Sequence, residues 1–276
     1  MLSYLHAFHA GNKADIVKHA TLDVVLRTLR LQARPLHYLD THAGSGMYDL
    51  GSAEARKTGE SDEGILAAMA GRKRPAALGP YFDLVRKFNG PARLRFYPGS
   101  PAIAAARLRA SDRLTFCEMH PREIKALREN FKDDERIAIK NESGWDALSA
   151  GLRARSDRRL IVLCDPSYET ASDYEAATAL ALSVKRAPRH ALLMIWYPIL
   201  NTPPQIALQA ACGQAGADIF TMHWPPADPN RPGLMGSGMA LFGADARLLR
   251  PIEAALEAAA PLIGAEFSTA PNSGNS

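Results

Sequence analysis

Short apolar runs along the chain alternate with stretches in which apolar residues recur at helical spacing. Strands separated by helical segments are typical of crossover connections, and therefore of a largely parallel sheet. Five runs predict strands at 36–40, 113–118, 136–140, 160–165 and 191–197, and two more strands are predicted near 217–224 and 238–243. The pattern predicts an α/β fold with a mostly parallel seven-stranded sheet and helices on both faces.

A helix is predicted to begin near Asn12, before the first strand. One of its faces is apolar, with residues at helical spacing: Leu22, Val25, Leu26 and Leu29. Asn12 followed by Asp15 is typical of a capped helix start with a carboxylate in the first turn. Lys18 and His19 lie off the main apolar line, so their side chains are available for another role.

The stretch from 48 to 97 interrupts the alternation. In a plain dinucleotide-binding unit, an acidic strand end follows the glycine turn by about 20 residues. Here the first acidic strand end that fits after Asp40 is Glu118. The segment between the glycine turn and Glu118 is therefore roughly 50 residues longer than in that template. The predicted organisation is a core of 1–47 and 98–269, in which 1–35 is a tail and helix, a helical insertion at 48–97, and a flexible tail at 270–276.

The composition is that of an ordinary globular chain. Of 276 residues, 47% are hydrophobic and 22% are charged, which argues against a mostly disordered chain. No run approaches the ~20 apolar residues of a membrane helix, and the N-terminus lacks the features of a secretion signal. We therefore expect a cytoplasmic protein without a membrane partner. Its cysteines are expected to be reduced and mostly buried: Cys117, Cys164 and Cys212.

Charge and metal-binding patterns add little. The net charge of +4 and the pI near 9.0 are compatible with a polyanionic partner but do not identify one. The histidines and cysteines show no spacing typical of a metal site, so no metal ion is expected.

The first predicted strand ends at Asp40 and leads into a glycine-rich turn. Gly44 and Gly46 allow the backbone to turn sharply beside a ligand. A full dinucleotide fingerprint needs glycine at position 49, where this chain has Asp49. The shortened form suits S-adenosylmethionine, which has no pyrophosphate. A glycine turn of this kind can equally be structural.

Two further strand ends could contact the same ligand. Glu118 can accept hydrogen bonds from both hydroxyls of a ribose, or it can cap the helix that follows. Ser143 and Gly144 follow the third strand, where many such enzymes meet an adenine ring. A serine there gives the adenine amine a weaker contact than a carboxylate would.

The fourth strand ends in the sequence DPSYE, residues 165–169. An exocyclic adenine amine is a poor nucleophile because its lone pair is delocalised into the ring. The Asp165 carboxylate and the Pro166 carbonyl, both accepting from that amine, would favour a pyramidal nitrogen. Asp165 would also stabilise the cation formed by methyl transfer and take its proton, while Tyr168 could stack on an unpaired base. The alternative is a simple strand-ending turn.

Several segments together resemble the RlmJ family of bacterial 23S ribosomal RNA adenine-N6-methyltransferases. They extend from the first residues to beyond the fifth strand: FHAGNKADIVKH (8–19), YLDTHAGSGMYDLG (38–51), YPGSP (97–101), CEMHP (117–121), LIVLCDPSYE (160–169) and IWYP (195–198). The N-terminal block and DTHAGSG are specific to this family. The D-P-x-Y signal alone also covers many adenine, cytosine and glutamine methylases.

The resemblance implies a Rossmann-like class I methyltransferase fold with a small helical insertion. It implies S-adenosylmethionine as the methyl donor and 23S rRNA as the partner. The expected product is an adenine methylated at N6, at rRNA position 2030, in free rRNA or an early assembly intermediate. A monomer without an obligate protein partner is expected.

The family motifs also imply roles for individual residues. Asp165 is the catalytic acceptor, Pro166 and Tyr168 lie at the target base, and Tyr4 touches the RNA. The positions implied at the donor are Lys18, His19, His42, Gly44, Ser100, Glu118, Ser143, Gly144 and Asp165.

Two positions depart from the family pattern, and two other functions stay open. Ser167 replaces a second proline, and Ser143 replaces an aspartate. The same chemistry could act on DNA adenine or on a protein glutamine. A function of another class, non-catalytic binding of nucleotides or RNA, is disfavoured because a binding protein has no need for the amine clamp of Asp165 and Pro166.

Overall fold

Strands form where the apolar runs predict them. The computed structural model describes residues 4–71, 74–91, 93–184, 191–201, 204–226 and 233–270. The strands in this part of the chain are β1 (Leu36–Asp40), β2 (Met47–Asp49), β3 (Phe96–Pro98), β4 (Arg113–Cys117), β5 (Ile137–Lys140), β6 (Arg159–Cys164), β7 (Leu192–Leu200), β8 (Asp218–His223), β9 (Leu234–Phe242) and β10 (Glu266–Ala270). In β6 every residue from Leu160 to Cys164 is buried, as expected for a central strand covered on both faces.

The helices lie mainly between these strands. They are α1 (Lys13–Leu29), α2 (Ala53–Thr58), α3 (Ala67–Ala70), α4 (Gly79–Lys87), α5 (Ser100–Arg107), α6 (Pro121–Asn130), α7 (Gly144–Arg153), α8 (Ala171–Ser183), α9 (Ile206–Gln214) and α10 (Ala246–Ala259). The predicted cap of α1 is confirmed, because the Asn12 side chain accepts from the Asp15 amide at 2.8 Å. Among the described helices, none has the length and apolar character needed to span a membrane.

The main sheet has eight strands in the order β5-β4-β1-β6-β7-β9-β8-β10. The strands from β5 to β7 in this order are parallel, and the last three are antiparallel. The seven predicted strands are all present, and β10 is an addition. Four of its five residues are exposed, so no apolar run predicts it. Beyond Ala270, the predicted flexible tail lies outside the described residues.

Helices cover both faces of the main sheet. On one face α1 packs against α5 and α10, and their apolar side chains form one hydrophobic cluster with alternate residues of the strands. On the other face α7, α8 and α9 form a second cluster with the remaining strand residues. The predicted buried, free cysteines are confirmed: Cys117, Cys164 and Cys212.

The region from 48 to 97 contains α2, α3 and α4, with β2 and β3 at its two ends. These two strands pair with each other as a small antiparallel sheet, which the sequence did not predict. The region packs closely on the start of α1. The Ile65 amide donates to the Gly11 carbonyl at 2.8 Å, and a Cβ at Gly64 would lie 2.0 Å from the same oxygen.

The order of the strands creates a crevice beside β1. Within the main sheet, the connection that leaves β1 leads to its neighbour β4 on one side, whereas the connection that leaves β6 leads to β7 on the other, so these two connections diverge. Ligands of open α/β sheets bind at such a point, outside the carboxyl ends of the strands. Asp40, Glu118 and Asp165 stand at the carboxyl ends of these three strands.

Candidate functional site

A cleft of about 720 Å³ opens at the carboxyl ends of β1, β4 and β6. Every site residue predicted from the sequence lines it: Tyr4, Lys18, His19, His42, Gly44, Ser100, Glu118, Ser143, Gly144, Asp165, Pro166 and Tyr168. They come from the N-terminal segment, from α1 and from the turns after β1, β3, β4, β5 and β6. The fold therefore brings together positions that are distant in sequence, although their roles remain predictions.

Asp165 is ion-paired inside this cleft. Lys18 Nζ donates to Asp165 Oδ2 at 2.5 Å and lies 3.1 Å from Asp15 Oδ1. Lys18 is 5% exposed, so water screens these contacts weakly. Its ammonium also lies 5.3 Å from the centroid of the Trp196 ring. A buried cation thus links α1 to the turn after β6.

Lys18 and Asp15 stabilise each other's charged forms. Burial alone would lower the pKa of Lys18, but the carboxylates of Asp165 and Asp15 raise it above its ordinary value. Burial alone would raise the pKa of Asp15, but its contact with His6 and the charge of the Lys18 ammonium hold that pKa well below its usual range. Lys18 and Asp15 are therefore charged at neutral pH.

The N-terminal segment extends the network away from Asp165. His6 Nε2 lies 2.9 Å from Asp15 Oδ2, and the Tyr4 hydroxyl lies 2.8 Å from His6 Nδ1. A continuous chain of polar contacts thus runs from Tyr4 through His6 and Asp15 to Lys18 and Asp165. Below, this chain of five side chains is called the acceptor network.

Sequence reasoning found only part of the acceptor network. It assigned Asp15 to the helix cap alone, and it did not select His6. The Asp15 carboxylate instead points toward the cleft and also accepts from the Gly11 amide at 2.8 Å. One signal was available, because Asp15 and Lys18 lie one helical turn apart and can meet. No periodicity encodes the fold of the segment that carries His6.

A hydrogen bond also joins the N-terminal segment to the loop after Asp165. The Tyr4 amide donates to Glu169 Oε2 at 3.2 Å. The Tyr4 ring also stacks on the His9 ring, with centroids 5.5 Å apart and planes inclined by 5°. These contacts hold the predicted RNA-touching residue at the rim of the cleft.

On the opposite side of the cleft, Glu118 is held by backbone amides. Its Oε2 accepts from the Gly44 amide and its Oε1 accepts from the His120 amide, both at 2.7 Å. Burial raises the pKa of Glu118, and these two hydrogen bonds partly offset the effect. The alternative role for Glu118 as the cap of α6 is wrong, because the cap is the His120 side chain, which accepts from the Arg122 amide.

Two glycines let backbone segments approach closely beside Glu118. Gly44 has a φ of +60°, and a Cβ there would lie 2.2 Å from the Tyr48 hydroxyl. A Cβ at Gly144 would lie 2.0 Å from the carbonyl oxygen of Thr41. Real Cβ atoms do not come so close to other atoms, so both positions require glycine. The two glycines therefore let these turns pack closely against Tyr48 and Thr41 at the wall of the cleft.

The turn after β1 holds a neutral histidine and a buried acid. Burial lowers the pKa of His42 to about 4, and its Nδ1 lies 2.8 Å from the Thr41 hydroxyl. Burial raises the pKa of Asp40 to about 6, although hydrogen bonds from Ser100 and Tyr38 partly offset this. Ser100 lines the cleft and also makes a hydrogen bond to the buried carboxyl group of Asp40.

The loop after Asp165 is anchored by Tyr168. Among the described residues, it is the one non-glycine residue with a positive φ, 54°, a conformation that costs energy and clusters at functional turns. Its hydroxyl donates to the Trp196 carbonyl at 2.7 Å, and its ring packs on Tyr174 with centroids 4.6 Å apart. Ser167, where the resemblance expects proline, lies with its hydroxyl 3.4 Å from Asp173 Oδ2.

In the residues that the structure describes, no three His, Cys, Asp or Glu side chains are grouped as a metal ion would need.

Known sequences similar to this chain are methyltransferases by name. A family model described as "Ribosomal RNA large subunit methyltransferase D, RlmJ" matches residues 33–274. The Escherichia coli protein named Ribosomal RNA large subunit methyltransferase J is 42% identical over 201 residues, which cover 72% of this chain and 71% of that protein. The Haemophilus influenzae protein of the same name is 42% identical over 202 residues, with the same two shares.

A solved structure with the same fold covers nearly the whole chain. Protein LPL1258 from Legionella pneumophila superposes with a TM-score of 0.87 over 96% of this chain and 99% of that one, at 27% identity. The insertion and the C-terminal strands are therefore part of an architecture that another protein shares.

Proposed function

We propose a function on the premise that this chain belongs to the RlmJ family of ribosomal RNA large subunit methyltransferases. The protein is an S-adenosylmethionine-dependent methyltransferase that modifies ribosomal RNA. Its target is the N6 amine of an adenine in 23S rRNA. One observation carries this proposal: the Asp165–Pro166 turn lines the same cleft as the paired turns of Glu118 and Gly44.

The side of the cleft around Glu118 fits the methyl donor. Each Glu118 oxygen accepts one backbone amide and keeps a further lone pair for a ribose hydroxyl. The turn at Gly44 lines the cleft directly beside this carboxylate. The residues that would hold the donor are Lys18, His19, His42, Gly44, Ser100, Glu118, Ser143, Gly144 and Asp165. When bound, S-adenosylmethionine supplies an electrophilic methyl group on a cationic sulfur.

Asp165 activates the amine of the target adenine. Lys18 holds its Oδ2 at 2.5 Å, which fixes the orientation of the carboxylate and leaves Oδ1 to accept from the amine. With the Pro166 carbonyl as a second acceptor, the amine nitrogen becomes pyramidal and its lone pair projects into the cleft. Asp165 then stabilises the cationic nitrogen and accepts its proton.

The target base lies between Asp165 and the loop that follows. The Tyr168 ring offers a stacking surface for a base taken out of an RNA stack. Its hydroxyl is anchored on Trp196 and its backbone is held in one conformation, so the ring loses little entropy on binding. Tyr4, at the rim, contacts the RNA.

The partner of the protein is 23S rRNA, as free RNA or as an early assembly intermediate. Because that substrate is assembled into ribosomes in the cytoplasm, we place the protein there. We expect it to act as a monomer and without a metal ion.

The decisive experiment offers several methyl acceptors to the protein. Methyl-labelled S-adenosylmethionine is mixed with unmodified 23S rRNA, with duplex DNA and with a glutamine-bearing protein. We expect label on the rRNA alone, recovered after digestion as N6-methyladenosine at one mapped adenine. Label on DNA or protein would contradict the substrate assignment. Donor binding without any transfer would favour the non-catalytic alternative.

A further inference from the structure

His19 lies at the end of a chain of buried hydroxyl groups that the proposed reaction does not use. Its Nδ1 is 2.7 Å from the Tyr97 hydroxyl, which is 2.8 Å from the Tyr81 hydroxyl. All three residues are at most 1% exposed. They come from α1, β3 and α4, so the chain connects the helical insertion to the cleft.

The imidazole of His19 is neutral. Burial is the main cause that lowers its pKa to about 3. A neutral imidazole carries one proton, so one ring nitrogen donates a hydrogen bond and the other accepts. Which nitrogen faces the cleft as a donor depends on the hydrogen bond made by the other.

The hydroxyl chain favours one of the two tautomers. If Tyr81 donates to Tyr97 and Tyr97 donates to Nδ1, each buried hydroxyl hydrogen has an acceptor. In the reverse direction Nδ1–H donates to Tyr97, Tyr97 donates to Tyr81, and the Tyr81 hydrogen has no acceptor among the described residues. Leaving a buried donor unpaired costs about 1–3 kcal/mol. The first direction instead leaves the Nε2 hydrogen at the cleft, where water or a ligand can accept from it, so this direction is favoured and the imidazole proton is on Nε2.

The surroundings of Nε2 agree with this assignment. Asp15 Oδ1 lies 4.0 Å from Nε2, and a nearby carboxylate favours a proton on the nitrogen that faces it. His19 lines the cleft, so the Nε2–H is placed where an anionic group of a ligand could accept from it.

We propose that Tyr97 and Tyr81 are positioning residues, which fix His19 as its Nε2–H tautomer so that this N–H donates to the carboxylate of the methyl donor. This inference rests on the proposed function, because that function supplies the donor. It also gives the insertion a role at the donor site: Tyr81 on α4 sets the direction of the hydrogen bonds that reach His19.

Nuclear magnetic resonance of ¹⁵N-histidine-labelled protein tests the tautomer without any ligand. The two nitrogens of a neutral imidazole differ strongly in chemical shift, and the His19 signals are assigned as those that disappear in His19→Gln. We expect the Nε2–H pattern in the unsubstituted protein and a mixture of tautomers in Tyr97→Phe. An Nδ1–H pattern in the unsubstituted protein, or an unchanged pattern in Tyr97→Phe, would overturn the proposal.

Calorimetry with S-adenosylmethionine tests the consequence for binding. We expect about tenfold weaker binding for Tyr97→Phe and about threefold weaker binding for Tyr81→Phe, as loss of one oriented hydrogen bond predicts. Tyr197→Phe is the matched control, since Tyr197 is also fully buried but belongs to the second hydrophobic cluster, and it should bind normally. Unchanged binding in Tyr97→Phe would overturn the proposal, whereas absence of binding in the unsubstituted protein would instead refute the proposed function.

Discussion

The two sides of the cleft are built in different ways. The acceptor network consists of side chains that reach one another from the N-terminal segment, from α1 and from the turn after β6. The donor side, at Glu118 and the glycine turns, consists mainly of backbone held at the ends of β1 and β4. One side is therefore set by charge, and the other by the shape of the main chain.

This difference predicts where each side is vulnerable. In the acceptor network, removal of one charge leaves its buried partner without compensation, which costs both activity and stability. On the donor side, a lost side chain removes one contact, but an added Cβ at a glycine collides with backbone. Substitutions chosen on each side should separate these two kinds of effect.

Asp165→Ala should have the largest effect on activity. It removes the acceptor for the target amine and for the proton, and we expect methyl transfer to fall by about 10³-fold or more. Transfer of labelled methyl groups to 23S rRNA measures the loss. Calorimetry with S-adenosylmethionine should give an affinity within about threefold of normal, because the other residues that would hold the donor, including Glu118 and the glycine turns, are unchanged. Near-normal transfer would contradict the catalytic role.

Lys18→Met should have the next largest effect. It keeps the length of the side chain but leaves Asp15 and Asp165 facing each other without the cation, and we expect unfolding free energy to fall by about 3 kcal/mol. Denaturant titration measures this loss. Lys13→Met is the matched control on the same helix, since Lys13 pairs with the exposed Glu63 and should change stability by less than about 1 kcal/mol. Equal losses in both variants would show that burial of the network contributes nothing.

Gly144→Ala should distort the donor side of the cleft by displacing its backbone. The added methyl group would lie 2.0 Å from the Thr41 carbonyl, so α7 must shift away from the turn after β1. We expect a loss of about 2–3 kcal/mol in unfolding free energy and weaker donor binding. Gly151→Ala, in the same helix with its nearest neighbour at 3.6 Å, should instead stabilise by up to about 1 kcal/mol. Identical behaviour of the two variants would refute the collision.

Most of the fold could be predicted from the sequence because its strands are continuous apolar runs. The central strands are buried on both faces, so their sequences differ clearly from loops. Strand β10 has four exposed residues out of five, and it forms because β8 offers it an edge. The β2–β3 pair likewise depends on two segments that only the folded insertion brings together. None of these three strands has a local signal strong enough to identify it.

The candidate site could be predicted where it follows strand ends. Asp165, Glu118 and Gly44 stand at positions that a parallel sheet brings to one edge, and motif spacing identifies them. His6 could not be found in this way, because its contact with Asp15 depends on the path of the N-terminal segment. The Tyr97–His19 contact similarly joins residues whose distance in sequence gives no information about their distance in space.

The smallest predicted effect concerns protonation of the His42 imidazole, on the donor side of the cleft. Burial lowers the pKa of His42 to about 4, whereas an unfolded histidine titrates near 6.5. As pH falls below that value the unfolded chain binds a proton that the folded protein excludes, so stability is lost by up to about 1.4 kcal/mol per pH unit until the folded pKa is reached.

Replacement of His42 by glutamine removes this titration, and we expect His42→Gln to lose about 1 kcal/mol less than the unsubstituted protein between pH 6.5 and 5.5. Denaturant titrations at the two pH values measure the difference, and because Asp40 titrates in both proteins its contribution cancels. Equal losses would mean that His42 takes up a proton as readily in the folded turn as in the unfolded chain, and the lowered pKa of His42 would then be wrong.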